Sequence, residues 1–171
     1  MPHGWDNFLI TAGTSAATLM GLLFVVITLG AQMSDGRAQG GIHAFVTPTL
    51  VHFGGILFQS MILLAPWPSR WVPAVAMLLC GLAGSSYAIV VTRMLRRLDF
   101  VALDLRDWAA YAGAPGLANA GLIAGGAGLA ADQAFAPYAI ACAILLLLLI
   151  GIHDAWDLSL WIVRNRSRAH D

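Results

Sequence analysis

Apolar residues fill five long stretches of the chain, and short polar segments separate these stretches. A helix needs about 20 apolar residues to cross a hydrocarbon core of about 30 Å. Each stretch is long enough, so we predict an all-α, polytopic transmembrane helical bundle that forms a single domain over residues 1–171. The five predicted spans are Phe8–Ala31, Phe45–Ala65, Trp71–Arg93, Ala109–Ala131 and Ala136–Val163.

Prolines indicate where several of these helices begin. Pro48, Pro73 and Pro137 fall in predicted first turns, where the missing N–H group costs no hydrogen bond. Pro115 lies about one turn inside the fourth stretch and predicts a kink there or a late helix start.

Composition supports a membrane location. Of the 171 residues, 59% are hydrophobic and only 11% are charged, and the mean hydropathy is +0.77. A soluble domain carries roughly 25% charged residues. Arginine supplies all nine basic residues and aspartate all nine acidic ones, and alanine and glycine are abundant. This composition is typical of a GC-rich bacterial genome and indicates a multi-pass protein of the bacterial inner (cytoplasmic) membrane.

Arginine placement predicts the orientation of the bundle. Positive residues concentrate in cytoplasmic loops. With five crossings, eight of the nine arginines fall on one side of the membrane, and Arg70 alone falls on the other. We therefore expect the N-terminus outside and the C-terminus in the cytoplasm.

Small residues recur at four-residue spacing in several stretches. Gly13, Ala17 and Gly21 share this spacing in the first stretch, as do Gly121 and Gly125 in the fourth. Helices in lipid associate through close packing of such residues. The fourth stretch has small residues on most of its faces, so we expect it to be central, surrounded by the other helices or by a neighbouring subunit.

Ionisable residues are few within the stretches and gather on the predicted cytoplasmic side. They are His52 in the second stretch, Arg93 at the end of the third, and His153, Asp154 and Asp157 near the end of the fifth. An ionisable group at the centre of a membrane helix costs about 2.5–3.5 kcal/mol on insertion scales, so such groups are usually buried and partnered. We predict a polar cluster that brings these five residues together.

Three interpretations of the polar cluster stay open. In the first interpretation, the cluster is a structural clamp, or the end of the fifth helix emerges from the membrane and leaves Asp157 in solvent. In the second, the cluster is a path for protons or ions. The third interpretation is a metal site made of His52, His153, Asp154 and Asp157, whose side chains all suit a transition metal. These four residues do not have the close sequence spacing that is typical of metal-binding motifs, so we predict neither a metal nor a cofactor.

Hydroxyl side chains form a stripe on the first stretch at Thr11, Ser15 and Thr18. Such hydroxyls usually bond to a carbonyl of the preceding turn or to a neighbouring helix. The alternative is that these hydroxyls line a water-filled cavity on the outer side of the membrane.

Several classes of function find no support in the sequence. The longest segment between predicted spans has about 15 residues, too few for a folded domain outside the membrane. Nucleotide-binding glycine patterns and the signatures of serine hydrolases and zinc peptidases are absent. The sequence also lacks a basic domain that could bind nucleic acid.

Two segments resemble a known group of proteins. Trp5–Gly30 contains a W-x-x-F start and the pattern G-x-[ST]-A-A-x-x-x-G-L-L-F-V, and His153–Val163 contains A-W-D-L. Both are similar to the first and last spans of small, uncharacterised, multi-span proteins of the bacterial inner membrane. The resemblance implies a multi-span bundle in which Asp157 belongs to the pattern, and it implies no activity.

Three functions follow as hypotheses. The first is a non-catalytic bundle that acts by packing in the lipid bilayer, either as a homo-oligomer or as an accessory subunit of a larger membrane complex. The second is an ion or proton channel or small transporter that uses the polar cluster. The third is a membrane-embedded enzyme that acts on lipid or binds haem through His52 and His153.

Overall fold

The computed structural model describes residues 4–32, 39–97 and 113–167, and over these residues it contains helices and no strand. This confirms the predicted all-α class. The five helices are α1 (Asp6–Gln32), α2 (Gln39–Leu64), α3 (Trp71–Arg97), α4 (Ala114–Ala130) and α5 (Ala136–Ser167).

Four of the helices are long and apolar enough to cross a membrane. Their apolar segments are Asp6–Thr28, Thr47–Leu64, Trp71–Val90 and Ala136–Leu160. The exception, α4, has 17 residues. It begins at Ala114 and carries Pro115 in its first turn, which agrees with the predicted late start. The first four residues of the predicted span Ala109–Ala131 lie outside the described residues.

Pro48 corrects one predicted helix start. It lies inside α2, which begins nine residues earlier at Gln39. The apolar pattern placed the start near Phe45 because most of the preceding residues are polar or small, namely Gln39, Gly40, Gly41 and His43.

The helices pack side by side in the order α3, α4, α5, α2, α1, and α5 also touches α1. Within this chain the central helix is therefore α5. The main neighbours of α4 are α3 and α5, so the other helices do not surround it. The expected contact of the fourth span with a neighbouring subunit stays a prediction. Large side chains of α1, α2, α3, α4 and α5 meet in one core, which includes Leu9, Phe53, Ile56, Met77, Leu122, Ile140 and Ile144.

Glycines allow α4 to lie very close to both of its neighbours. A Cβ atom on Gly126 would lie 2.9 Å from the backbone oxygen of Ala74 in α3, and one on Gly81 would lie 2.8 Å from the backbone oxygen of Asn119 in α4. On the α5 side, a Cβ on Gly121 would lie 3.1 Å from the Ala143 Cβ, and Gly125 packs against Ile140. Gly121 and Gly125, the two residues of α4 that we predict to pack against a neighbouring helix, thus both lie against α5.

The small residues of α1 behave differently from one another. A Cβ on Gly13 would lie 3.1 Å from the Cβ of Ser60 in α2, whereas Ala17 is half-buried and a Cβ on Gly21 would meet nothing within 4 Å. Gly21 therefore makes no close contact with another described helix of this chain. Eight residues rotate about 80° around a helix axis beyond two full turns, so a four-residue repeat drifts away from the neighbouring helix.

The turn between α4 and α5 closes the end of α4 with a Schellman arrangement. The Gln133 N–H donates to the Gly128 carbonyl at 2.8 Å, and the Asp132 N–H donates to the Leu129 carbonyl at 3.3 Å. Asp132 occupies the left-handed position with φ 58°, where glycine is usual. Its carboxylate also pairs with Arg70 of the α2–α3 turn at 2.9 Å, so both turns lie at the same end of the bundle.

Substitutions at Asp132 should separate the backbone effect from the ion pair. Asp132→Gly loses the exposed ion pair but keeps an easy positive φ, so its stability should match Arg70→Ala, within about 0.5 kcal/mol of the wild type. Asp132→Ala should be about 1 kcal/mol less stable than Asp132→Gly, because alanine has a Cβ at this positive φ and lacks the short polar side chain with which aspartate can hydrogen-bond locally. Thermal unfolding in detergent measures all three variants, and equal midpoints for the alanine and glycine variants would contradict the assignment.

Candidate functional site

A histidine and an aspartate meet between α2 and α5 near one end of the bundle. The inward face of α2 repeats at three- and four-residue spacing through Thr49, Phe53 and Ile56, and His52 lies beside this face. The Nδ1 atom of His52 lies 3.3 Å from Oδ2 of Asp154 in α5. Each side chain is only 12% exposed, so the pair lies mostly inside the protein.

Apolar groups surround the His52–Asp154 pair. The Phe53 ring is fully buried against Gly151 of α5, where an added Cβ would lie 2.7 Å from the ring. Leu158, one turn beyond Asp154, is also fully buried. The pair therefore has a desolvated setting in which unpaired charge is costly.

The other members of the predicted cluster lie elsewhere. His153 and Asp157 face each other one turn apart on α5, with 3.4 Å between Nδ1 and Oδ2, and their side chains are 58% and 31% exposed. Arg93 is exposed near the end of α3, and no ion pair of Arg93 is found among the described residues. The structure thus replaces the five-residue cluster with one buried pair and one surface pair.

Other polar groups are buried along the same face of α2. Thr49, Gln59 and Ser60 are each at least nine-tenths buried. Within the described part of the chain, Gln59 Oε1 and Ser60 Oγ have no hydrogen-bond partner. The sequence prediction left out Thr49 and Ser60, although both fall at the spacing of Phe53 and Ile56. In α4, the buried Asn119 amide donates to the Pro115 carbonyl at 2.8 Å and fits beside Gly84.

Two of the three hydroxyls in the stripe on α1 bond to their own helix. Thr11 donates to the Asn7 carbonyl at 2.7 Å, and Thr18 donates to the Thr14 carbonyl at 2.8 Å. This is the local bonding that hydroxyls usually adopt in membrane helices. Over the three described ranges, no group of three or more His, Cys, Asp or Glu side chains is placed to hold a metal ion.

Comparisons with known proteins give no family for the chain. No protein-family model, no curated protein and no solved structure matches it. The resemblance of Trp5–Gly30 and His153–Val163 to small bacterial membrane proteins therefore stays a prediction. Inferences about function depend on the helices and the side chains described above.

Proposed function

We propose that this chain is a non-catalytic integral protein of a bacterial cytoplasmic membrane that acts by helix packing. It works as a homo-oligomer or as an accessory subunit of a larger membrane complex. Large apolar side chains cover the outer surface of the bundle, and a soluble monomer rarely exposes so much apolar area. Those that are more than half exposed include Leu22, Phe24, Phe58, Met61, Leu79, Leu82 and Leu149.

The outer face of α4 is the observation that carries the proposal. This face begins with the exposed Leu117. The exposed residues that follow it are Ala120, Ala124 and Ala127, at four- and three-residue spacing. The inner faces of α4 are already occupied by α3 and α5. Small side chains let two helix backbones approach closely in lipid, where packing rather than the hydrophobic effect drives association. This face suits a helix from a second subunit better than it suits lipid chains.

The proposed orientation places the N-terminus outside and the C-terminus in the cytoplasm. Support comes from the positions of the charged and aromatic residues. Arg70 lies in the turn joined to Asp132, at one end of the bundle, whereas Arg93 lies near the opposite end. Trp67 and Trp71 are exposed beside Arg70, as residues of a membrane–water interface are.

A bulky substitution on this face should weaken association. We expect Ala124→Phe to reduce the oligomeric or complexed fraction about tenfold, which corresponds to about 1.4 kcal/mol. Ala83→Phe is the matched control, because Ala83 is an exposed alanine on α3 that follows Leu82 and lies one turn from Leu79, both of which are bulky and exposed. Native mass spectrometry after mild detergent extraction measures stoichiometry and bound subunits together. A wild-type protein that is entirely monomeric and unaccompanied, or equal effects of both substitutions, would contradict the proposal.

A further inference from the structure

We infer that Arg70 and Asp132 bind the zwitterionic headgroup of a phospholipid, with its phosphate on the guanidinium and its ethanolamine ammonium on the carboxylate. The two residues lie in the α2–α3 and α4–α5 turns, at one end of the bundle. The inference rests on the proposed membrane location, and it does not depend on the proposed packing at α4.

The Arg70–Asp132 ion pair leaves most of its bonding groups free. Nη1 of Arg70 lies 2.9 Å from Oδ2 of Asp132, and the side chains are 50% and 80% exposed. A guanidinium has five N–H donors, and a carboxylate has two acceptor oxygens. Over the described residues, neither side chain forms a second ion pair. The pair can therefore keep its own contact while it donates to a phosphate and accepts from an ammonium.

The backbone holds both charged residues in place. Asp132 has its φ of 58° within the Schellman arrangement that ends α4. The turn that carries Arg70 contains Pro66 and Pro68, and the Trp67 indole N–H between them donates to the Ile62 carbonyl at 2.7 Å. Groups that are ordered before binding lose less entropy when a ligand arrives.

Exposed aromatic side chains place the ion pair at the level of the lipid headgroups. Trp67 and Trp71 lie on either side of Arg70 in the chain, and Phe135 lies three residues after Asp132. All three aromatic side chains are exposed. Tryptophan is enriched where the hydrocarbon of a membrane meets the headgroups. The phosphate and ammonium of a lipid are therefore expected at the depth of this pair.

An apolar stripe on α3 suits the acyl chain of the same lipid. Its exposed residues recur at three- and four-residue spacing and are Val72, Val75, Leu79 and Leu82. The stripe begins two residues after Arg70. From its first to its last residue the helix rises about 15 Å, which is half of a hydrocarbon core of about 30 Å. The stripe therefore matches the depth of one lipid leaflet.

Charge determines which headgroup fits the pair. A phosphatidylglycerol headgroup carries one negative charge, so it is attracted to Arg70 but repelled by Asp132. A phosphatidylethanolamine headgroup carries a phosphate and an ammonium, and each of them meets an opposite charge. Hydrogen bonds between ionised groups are stronger than those between neutral groups. The pair therefore favours the ethanolamine lipid.

The test is native mass spectrometry of the full-length protein in mild detergent, with equal amounts of phosphatidylethanolamine and phosphatidylglycerol that have identical acyl chains. We expect the wild type to bind the ethanolamine lipid about threefold more tightly, as for one solvent-exposed ion pair. Asp132→Asn should abolish or reverse this preference, because asparagine tolerates the positive φ but carries no charge. Arg70→Gln should weaken the binding of both lipids.

Asp157→Asn is the matched control for charge. It removes the same charge near the other end of α5, so it changes the general attraction of the protein for anionic lipid equally. It should keep the wild-type preference. Equal binding of both lipids by the wild type would overturn the inference, and so would a preference that survives Asp132→Asn or is lost in Asp157→Asn. Bound lipids and bound subunits differ in mass, so this outcome is read separately from the proposed packing.

Discussion

Replacing His52 with leucine is expected to lower the free energy of unfolding by about 3 kcal/mol. The substitution leaves the Asp154 carboxylate buried without its partner, and breaking a buried pair in this way typically costs about 3–5 kcal/mol. We choose the lower end because the two side chains keep some contact with solvent. Unfolding in detergent followed by circular dichroism measures the loss.

A double variant distinguishes an unpaired charge from lost packing. His52→Leu combined with Asp154→Leu removes both polar groups and should recover most of the lost stability, because an apolar replacement of a buried pair is often neutral or stabilising. His153→Leu, in the exposed pair, should stay within about 0.5 kcal/mol of the wild type. A double variant less stable than His52→Leu alone would contradict this explanation, because it would show that Asp154 stabilises the protein even without His52.

The second large effect is expected at Gly126. Gly126→Ala should destabilise the protein by about 2 kcal/mol, in the range typical of overpacking. The new methyl group would lie 2.9 Å from both the Ala74 oxygen and the Leu78 nitrogen, which are backbone atoms of α3 and cannot rotate away. The two helices would have to separate along their contact.

Gly21→Ala is the matched control for this substitution. The change is chemically identical, but nothing lies within 4 Å of the new methyl group. Because alanine favours helix by about 0.8–1 kcal/mol over glycine, this variant should be as stable as the wild type or more stable. Equal losses at Gly126 and Gly21 would contradict the close contact between α3 and α4.

The helices could be predicted because apolar length and proline position are local properties. Five apolar stretches gave five helices, and Pro115 indicated the start of α4. Pro48 misled the prediction of α2 because a membrane helix can contain an interior proline when neighbouring helices or side chains satisfy the backbone groups that it frees.

Contacts between helices were harder to predict, because they depend on how each helix is rotated. The sequence indicated His52, His153, Asp154 and Asp157 as one group, but it could not show that His52 faces Asp154 while His153 faces Asp157. A rotation of α5 by one residue position, about 100°, would turn His153 instead of Asp154 toward His52. Arg93 was included because it is close along the membrane normal, although its side chain is exposed.

The 17 residues of α4 span about 25 Å, which is less than the hydrocarbon thickness of about 30 Å in an ordinary bilayer. Such a hydrophobic mismatch is relieved when lipid chains shorten locally or when short helices gather away from lipid. Where the outer face of α4 meets lipid, the protein should therefore partition into thinner regions of a membrane and should thin the lipid layer around it.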